Sequence, residues 1–185
     1  MSRAAAAYAE RTHAGQVRPD GTPFIHHPEE VASLLRGAGA PDHLVAAGML
    51  HDVIEKAGAE ATDLQLRFGS RVTQLVTSVS DDDRISGYAT RKAALRQQVA
   101  VAGEDALMLF AADKLSKLRE LRREIEFSDN SRGVRTRQLR SRRLRHYARS
   151  LALLEERLPD VALVRELRAE LDAFVSQRAP LTGVR

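Results

Sequence analysis

A histidine and an aspartate stand side by side in the stretch MLHDVIEKAG, residues 49–58. His51 and Asp52 follow an apolar run, and Glu55 comes one helical turn after His51. Burying such groups costs several kcal/mol unless they are hydrogen-bonded or coordinate a cation. A lone pair of this kind also occurs where a histidine is merely hydrogen-bonded to its neighbour. The pair therefore indicates a metal site only if further ligands are found.

Two other segments supply further metal-ligating side chains. FIHHPEEVASLL places His26 and His27 at a helix start, and LFAADKLSKLREL embeds Asp113 in an apolar run, where an unpaired carboxylate would be costly. The resulting set is two histidines and two aspartates: His27, His51, Asp52 and Asp113. Such a set leaves room for water and substrate on a six-coordinate ion. Mn²⁺ fits this mixture best, with Fe²⁺, Zn²⁺ or another divalent ion as alternatives.

The amino-acid composition narrows the possible chemistry. The chain has no cysteine, which excludes disulfides, thiol catalysis and thiolate metal sites. Its 185 residues suit one domain. No apolar run approaches the length of about eighteen residues that a membrane span needs, so we expect a cytoplasmic protein. The net charge is only +4, but residues 131–150 carry eight arginines and no acid, which favours a phosphate-bearing partner.

The elements that must position these groups are predicted to be helices. Apolar residues recur at spacings of three and four, and glycine or proline falls where helices would end. The predicted fold class is all-α, a single compact bundle of about eight to ten helices over residues 1–185. Its motif-bearing core spans about residues 13–122, and its C-terminal helices span about residues 134–178. The predicted helices cover residues 2–14, 28–37, 42–56, 62–68, 70–80, 88–101, 104–125, 134–157 and 160–178.

The helix predicted over residues 42–56 carries most of the polar groups. Its apolar face continues through Gly48 to His51 and Glu55. Asp52 is rotated from that face by about 100°. The inward face of this helix thus ends in groups that need a partner.

Four motifs in a fixed order resemble a known family. They read HAGQVRPDGTPFIHHPEEVASLL, AAGMLHDVIEK, RFGSRVTQLVTSVS and FAADKLSKLREL. They resemble the HD-domain phosphohydrolases, and more narrowly the (p)ppGpp hydrolase domain of the RelA/SpoT homologues and the stand-alone small alarmone hydrolases. The resemblance runs over about residues 13–122, and the order and spacing of the motifs make it specific. No synthetase or regulatory sequence follows, so the expected match is to the stand-alone form.

The resemblance implies an HD-domain fold and a reaction that removes the 3′-diphosphate of guanosine tetra- or pentaphosphate with one Mn²⁺. In that family the histidine immediately before the proline is the first ligand, which is His27 here, while His26 stands at a variable position. The HD pair of the family matches His51 and Asp52. The aspartate of a later AD motif matches Asp113.

The resemblance also implies four substrate contacts. Arg18 matches the arginine of the family's HxGQxR element, which lies against the nucleotide base, and a planar guanidinium suits stacking as well as phosphate. A solvated loop residue is the alternative. Tyr147 is the candidate for a tyrosine that approaches the nucleotide from a late helix, although its spacing also suits core packing. Arg91 and Lys92 lie where related hydrolases carry basic residues, and either contact phosphate or form a solvated helix face.

The catalytic position after Glu55 departs from the family pattern. The family carries a second acid there, and the acidic pair positions and activates the nucleophilic water, whereas this chain has Lys56. Glu55 remains the expected orienter or base. Lys56 either pairs with Asp52, four residues before it, or reaches into the cleft and contacts a substrate phosphate. The second interpretation would change substrate preference or slow hydrolysis.

A second lysine replaces a family contact to the nucleotide. The family commonly has asparagine where this chain has Lys117, one helical turn beyond Asp113. Both changes add positive charge while the metal ligands are kept. They favour a more anionic or differently placed phosphate and argue against transferring the alarmone substrate without a test.

Three classes of function remain open. The leading hypothesis is a metal-dependent phosphohydrolase on a phosphorylated nucleotide, most like a guanosine-3′,5′-bis(diphosphate) 3′-pyrophosphohydrolase. The alternatives are an HD hydrolase for another nucleotide or cofactor, such as an NADPH phosphatase, and a catalytically weakened nucleotide-binding protein. Nucleic acid is the least favoured partner because the arginine-rich stretch lacks interleaved aromatic residues for base stacking.

Overall fold

The computed structural model describes residues 1–18, 20–126 and 134–176. Within these residues the only β-structure is an isolated bridge between Val17 and Pro23, which confirms the predicted all-α class. No helix in the described part of the chain is long and apolar enough to span a membrane. The helices are α1 (Ser2–Thr12), α2 (His26–Gly37), α3 (Asp42–Leu50), α4 (Val53–Ala57), α5 (Ala61–Val79), α6 (Tyr88–Ala102), α7 (Glu104–Glu126), α8 (Val134–Arg157) and α9 (Ala162–Ser176).

Helix α7 lies at the centre of the bundle and packs against α2, α3, α5, α6, α8 and α9. Its residues from Ala106 to Leu118 are buried almost without interruption, as expected of a helix that is apolar on all sides. Asp113 lies in the middle of this run and is buried with it. The burial of α7 is therefore what takes this carboxylate out of water.

Helices α2 and α3 approach each other closely at Gly48. A Cβ atom on Gly48 would lie 2.7 Å from Leu35 Cδ1 and 3.3 Å from the Ala32 Cα atom. Only glycine fits here without a shift of its neighbours. This contact brings the start of α2, with His27, toward the end of α3, with His51.

The single helix predicted over residues 42–56 is wrong, because the helix breaks at His51 and Asp52. Helix α3 ends at Leu50 and α4 begins at Val53. Asp52 between them has φ −99° and ψ −4°, in the sparsely populated bridge region. The break places Asp52 in the same cluster as His51. The rotation of about 100° between the two side chains, expected for a continuous helix, is therefore not observed. The periodicity of apolar residues along the sequence does not mark this break.

The interruption predicted between residues 68 and 70 is present. Gly69 has φ 82° and ψ 167° and separates two helical stretches that continue as α5. This φ lies in the region that favours glycine, so the sequence marks the kink directly. Other helix boundaries differ by a few residues: α2 begins at His26 rather than at residue 28, and α9 at Ala162 rather than at residue 160. Residues 131–133 and 177–178 of the predicted segments lie outside the described part of the chain.

One hydrophobic core draws residues from each of the nine described helices. Representative members are Ala9 of α1, Val31 of α2, Leu50 of α3, Val53 of α4, Val76 of α5, Leu95 of α6, Leu115 of α7, Leu154 of α8 and Leu167 of α9. The polar cluster lies inside this core, where α2, the α3–α4 junction and α7 meet. Each polar atom there needs a partner, because water cannot easily supply one.

Candidate metal centre

Two histidine nitrogens and two carboxylate oxygens converge at the centre of the bundle. The Nε2 atoms of His27 and His51 are 3.1 Å apart. Asp52 Oδ2 lies 3.4 Å from each of these nitrogens. Asp113 Oδ1 lies 3.2 Å from that of His27 and 3.4 Å from that of His51. All four side chains are buried. The distances show that the structure brings together the four residues predicted from the sequence as metal ligands.

The outer hydrogen bonds of the two histidines fix which nitrogen faces inward as an acceptor. His51 Nδ1 lies 2.8 Å from the carbonyl oxygen of Gly48, which only accepts, so Nδ1 carries the proton. His27 Nδ1 lies 2.9 Å from Ser116 Oγ. The Ser116 hydroxyl donates to Glu30 Oε2 at 3.0 Å, so its oxygen accepts from His27. In the neutral rings both inward Nε2 atoms are therefore lone-pair acceptors.

The inward carboxylate oxygens are acceptors without a hydrogen bond. Asp52 Oδ2 and Asp113 Oδ1 are buried and make no hydrogen bond among the described residues, although the Lys117 ammonium lies 2.8 Å from Asp113 Oδ1. Four electron-pair donors thus face one another. Lys117 contacts only the Asp113 oxygen, so the group as a whole favours a further cation among them. Ligand atoms of His27, His51 and Asp113 lie within 4.8 Å of one another. Imidazole nitrogen and carboxylate oxygen together suit a divalent ion, so the residues present fit one.

The protonation of the cluster follows from burial and from its charges. Burial lowers the pKa of His27 to about 4, which keeps this ring neutral and able to coordinate. Burial alone would also lower the pKa of His51, but the charge of Asp52 and contact with Asp113 outweigh it and raise the pKa. Burial would raise the pKa of Asp52, but His51 and Lys117 outweigh it and lower the pKa. Protons and a divalent ion therefore compete for these atoms.

Two lysines from α7 neutralise the aspartates. Lys117 Nζ lies 2.8 Å from Asp113 Oδ1 and 3.8 Å from Asp52 Oδ1, so the predicted substrate residue contacts metal-ligand carboxylates. Burial would lower the pKa of Lys117, but these carboxylates raise it well above its usual value. Lys114, which the sequence analysis did not single out, is buried 2.5 Å from Asp113 Oδ2 and lies 4.3 Å from the centre of the Phe110 ring. The sequence does carry a signal for this role of Lys114, because a lysine directly after Asp113 in an apolar run needs a buried counterion.

Glu55 projects from α4 beside the cluster, with both carboxylate oxygens engaged. Lys56 Nζ donates to Oε1, and the backbone N–H of Asp81 donates to Oε2 at 3.3 Å. Of the two interpretations left open for Lys56, the pairing with Asp52 is not seen, because the lysine binds its neighbour Glu55 instead. Burial would raise the pKa of Glu55, but Lys117 and Lys56 outweigh it and lower the pKa.

Arg91 and Lys92 converge on Asp81, in the loop between α5 and α6. Lys92 Nζ donates to Asp81 Oδ2, and Arg91 Nε lies 3.5 Å from the same oxygen. The side chains of both cations are mostly buried, so neither belongs to the solvated helix face that was one interpretation of this segment. Asp81 links them to Glu55 through its backbone N–H. The sequence analysis missed this role, because three consecutive aspartates in a polar loop look alike.

Arg18 is buried rather than solvated, although it lies in a loop. Its guanidinium lies 3.7 Å from Glu120, and its buried Nε has no hydrogen-bond partner among the described residues. The backbone N–H of Arg18 donates to the Thr22 carbonyl at 2.8 Å, which closes the loop. Arg18 lines a polar cavity of about 380 Å³, whose lining residues are Arg18, Asp20, Thr22, His26, Glu30 and Arg123.

Tyr147 is a buried member of the core on α8, as core packing required. Its hydroxyl oxygen accepts a hydrogen bond from Arg143 Nε at 3.4 Å. Burial raises the pKa of Tyr147, so the hydroxyl remains protonated at neutral pH. Its neighbour His146 is also buried, and His146 Nδ1 accepts from Arg96 at 3.1 Å. The sequence analysis did not single out His146.

The sequence matches the pattern of the HD domain family over residues 5–140. It is 38% identical over 123 residues to the human guanosine-3′,5′-bis(diphosphate) 3′-pyrophosphohydrolase, an alignment that covers 64% of this chain and 68% of the human protein. It is 36% identical over 117 residues to a GTP pyrophosphokinase of Streptomyces coelicolor, covering 62% of this chain. The aligned region spans only 14% of that longer relative.

Solved structures agree with this relationship. A metazoan orthologue of SpoT, described as hydrolysing ppGpp, superposes with a TM-score of 0.77 at 27% identity, over 97% of this chain and 96% of that one. A protein from Listeria monocytogenes superposes with a TM-score of 0.70 at 26% identity, over 83% of this chain and 98% of that one. With the family pattern covering most of the sequence and the same fold in both neighbours, this chain belongs to the HD domain family.

Proposed function

We propose that this chain is a metal-dependent phosphohydrolase that removes pyrophosphate from the 3′ position of a guanosine bis(diphosphate). The observation that carries the proposal is the convergence of two acceptor nitrogens and two carboxylate oxygens without hydrogen bonds in a buried cluster. The names of the human relative and of the metazoan structure support the substrate class. We infer Mn²⁺ as the resident ion because mixed imidazole and carboxylate ligands with open positions suit it.

The residues that would hold the ion are His27, His51, Asp52 and Asp113. A divalent ion held there would supply Lewis-acid polarisation of a phosphoryl oxygen and lower the pKa of an attacking water. The surrounding hydrogen bonds keep the ligands in place: Ser116 orients the ring of His27, and the Gly48 carbonyl orients that of His51. Such outer contacts raise ligand basicity and fix ring orientation.

Glu55 is the residue we assign to the attacking water. Its carboxylate lies beside the cluster, and Lys117 influences its pKa, which indicates closeness to the metal ligands. A carboxylate there can orient the water and accept its proton as the new bond to phosphorus forms. Lys56 occupies one of the two carboxylate oxygens, so it weakens Glu55 as a base.

Cations around the cluster are suited to the charge of a diphosphate. Lys114 and Lys117 flank Asp113, and Asp81 holds Arg91 and Lys92 on the side of Glu55. Positive groups around a reacting phosphate stabilise charge that develops on leaving oxygens. We assign Arg18 to the nucleotide base, because its guanidinium lines a polar cavity and keeps an unpaired buried N–H. Only the resemblance supports a contact of Tyr147 with the same ligand, because Tyr147 is buried in the core and its hydroxyl accepts from Arg143.

A second candidate is hydrolysis of a different phosphorylated nucleotide, including a monoester such as that of NADPH. It is favoured by Lys56 and Lys117, which bring positive charge to positions where the resembled hydrolases carry an acid and an asparagine. The metal-binding side chains are the same in both candidates, so they differ in the substrate and not in the type of reaction.

The test is a Mn²⁺-supplemented screen of phosphorylated nucleotides in which pyrophosphate and inorganic phosphate are measured separately. The proposal predicts pyrophosphate release from ppGpp and pppGpp. Release of inorganic phosphate from NADPH with no pyrophosphate from either alarmone would reject the alarmone and support the second candidate. Tight nucleotide binding without any turnover would instead indicate a catalytically weakened binding protein.

A further inference from the structure

We propose that Lys117 is an exchangeable cation, which holds the metal-ligand carboxylates until a divalent ion binds and then moves to a phosphate of the substrate. The ion and an anionic ligand would therefore bind cooperatively, each strengthening the other. This inference rests on the metal site of the proposed function but does not depend on which nucleotide is hydrolysed.

The charge of the cluster is the first step. Three carboxylates, Asp52, Glu55 and Asp113, meet three ammonium groups, Lys56, Lys114 and Lys117. These charges cancel before any metal ion is counted. A divalent ion would therefore leave two positive charges uncompensated in a site that is largely shielded from water, where such charge is costly. A phosphate group is the ligand that removes this excess.

The three lysines differ in their freedom to respond. Lys114 is buried between the Asp113 carboxylate and the Phe110 ring, so it is fixed. Lys56 is bound to Glu55 and makes no ion pair with the metal-ligand aspartates among the described residues. Lys117 keeps 26% of its side chain exposed, whereas Lys114 keeps 4%. Of the two lysines that contact Asp113, Lys117 is therefore the one better able to leave.

Lys117 and an ion would compete for the same atom. Its Nζ lies 2.8 Å from Asp113 Oδ1, the oxygen that also faces the Nε2 atoms of His27 and His51. An ion that binds this oxygen repels the ammonium at that distance. Once displaced, the ammonium is a mobile cation at the rim of the site, which is where a substrate phosphate would meet the ion.

The coupling is measurable as a change in Mn²⁺ affinity. Mn²⁺ is titrated into the full chain while free Mn²⁺ is followed by its electron paramagnetic resonance signal, with and without inorganic phosphate. Protein-free titrations correct for Mn²⁺ bound by phosphate. For the wild type we expect phosphate to strengthen Mn²⁺ binding about tenfold, within the usual range of coupling between sites.

Two variants separate the charge of Lys117 from its size. Lys117→Met removes the charge and keeps much of the volume, so it should bind Mn²⁺ about tenfold more tightly than the wild type without phosphate, and phosphate should then change its affinity less than about threefold. Lys117→Arg keeps the charge and serves as the matched control, with wild-type coupling expected. Circular dichroism checks that both variants fold.

Several results would overturn the inference. One is Mn²⁺ binding by Lys117→Met that matches the wild type without phosphate, and another is an equal phosphate effect in both proteins. If phosphate leaves the Mn²⁺ affinity of the wild type unchanged, the inference is overturned without any variant. The absence of Mn²⁺ binding would also overturn it. Failure to hydrolyse ppGpp while the coupling is observed would reject only the substrate of the proposed function.

Discussion

At the scale of single residues, the metal site depends on hydrogen bonds made outside it. The Gly48 carbonyl and the Ser116 hydroxyl accept the Nδ1 protons of His51 and His27 and so turn both Nε2 lone pairs inward. Glu30 in turn accepts the hydroxyl proton of Ser116. Residues that never touch the ion thus decide which ring atoms can bind it.

Lys56 is expected to limit the rate. Replacing it in Lys56→Asp removes the ammonium from Glu55 Oε1, which should raise the pKa of Glu55 and make it a stronger base. We expect kcat for hydrolysis of the nucleotide to rise about tenfold, a fraction of the effect that positioned general bases usually have. Steady-state kinetics with saturating Mn²⁺ measures this change.

The control for this prediction is the same substitution in a Glu55→Gln background. There Lys56→Asp should raise kcat much less, because Glu55, which the ammonium no longer occupies, is gone. A lower kcat and a higher KM for Lys56→Asp alone would contradict the prediction and indicate that Lys56 contacts a substrate phosphate.

The residue types of the site could be predicted from the sequence, but their partners could not. Asp113 stood out because a carboxylate in an apolar run needs a counterion. The partner of Lys56 could not be inferred, since it depends on the break after His51 and on the Asp81 N–H that occupies the other oxygen of Glu55. Such choices follow from tertiary contacts that spacing along the chain does not encode.

At the scale of elements, the loop between α5 and α6 is anchored by one buried aspartate. Asp81→Asn should lower the free energy of unfolding by about 2 kcal/mol, because it leaves Lys92 and Arg91 without their charged partner in a mostly buried position. Asp82→Asn is the matched control in the same loop. Asp82 pairs with the exposed Arg84, so its loss should cost much less than the loss of Asp81.

Urea unfolding of the three proteins measures both differences. Equal stability of Asp81→Asn and Asp82→Asn would show that the buried ion pairs do not hold the loop.

Helix α8 should be sensitive to acid through His146. Burial, together with Lys114, Lys92 and Arg96, lowers the pKa of His146 to about 2, and only Asp113 opposes this. Below the unfolded pKa of about 6.5, His146 binds a proton in the unfolded chain but not in the folded chain. The free energy of unfolding therefore decreases as the pH is lowered. Between pH 7 and pH 5 this residue should cost the folded state about 2 kcal/mol.

Urea unfolding of the wild type and His146→Gln at both pH values tests this slope. The variant cannot titrate at position 146, so it should lose about 2 kcal/mol less than the wild type over the interval. Identical losses would mean that His146 is not held neutral by its surroundings. The comparison uses the change with pH, so any constant cost of the substitution cancels.

Sequence patterns predicted the elements well where backbone chemistry marks their ends. The kink at Gly69 follows from a residue that tolerates positive φ. The break between α3 and α4 has no such marker. Local propensity therefore described most helix boundaries and missed the one that forms the site.

At the scale of the whole molecule, the site ties distant parts of the chain together. His27 comes from α2, His51 and Asp52 from the α3–α4 junction, and Asp113 from the central α7. An ion bound by all four would stabilise the bundle as well as take part in the chemistry. The all-α class could be predicted from periodicity, but this convergence depended on packing, including the close approach at Gly48.

The central claim is that this cluster binds a divalent ion that the hydrolytic reaction needs. The most direct measurement compares wild type with His51→Ala, recording Mn²⁺ content and pyrophosphate release from ppGpp on the same samples. His43→Ala is the control, since His43 pairs with Asp105 outside the cluster. We expect bound Mn²⁺ and pyrophosphate release in the wild type and the control, and the loss of both in His51→Ala. Unchanged metal content and activity in His51→Ala would contradict the account.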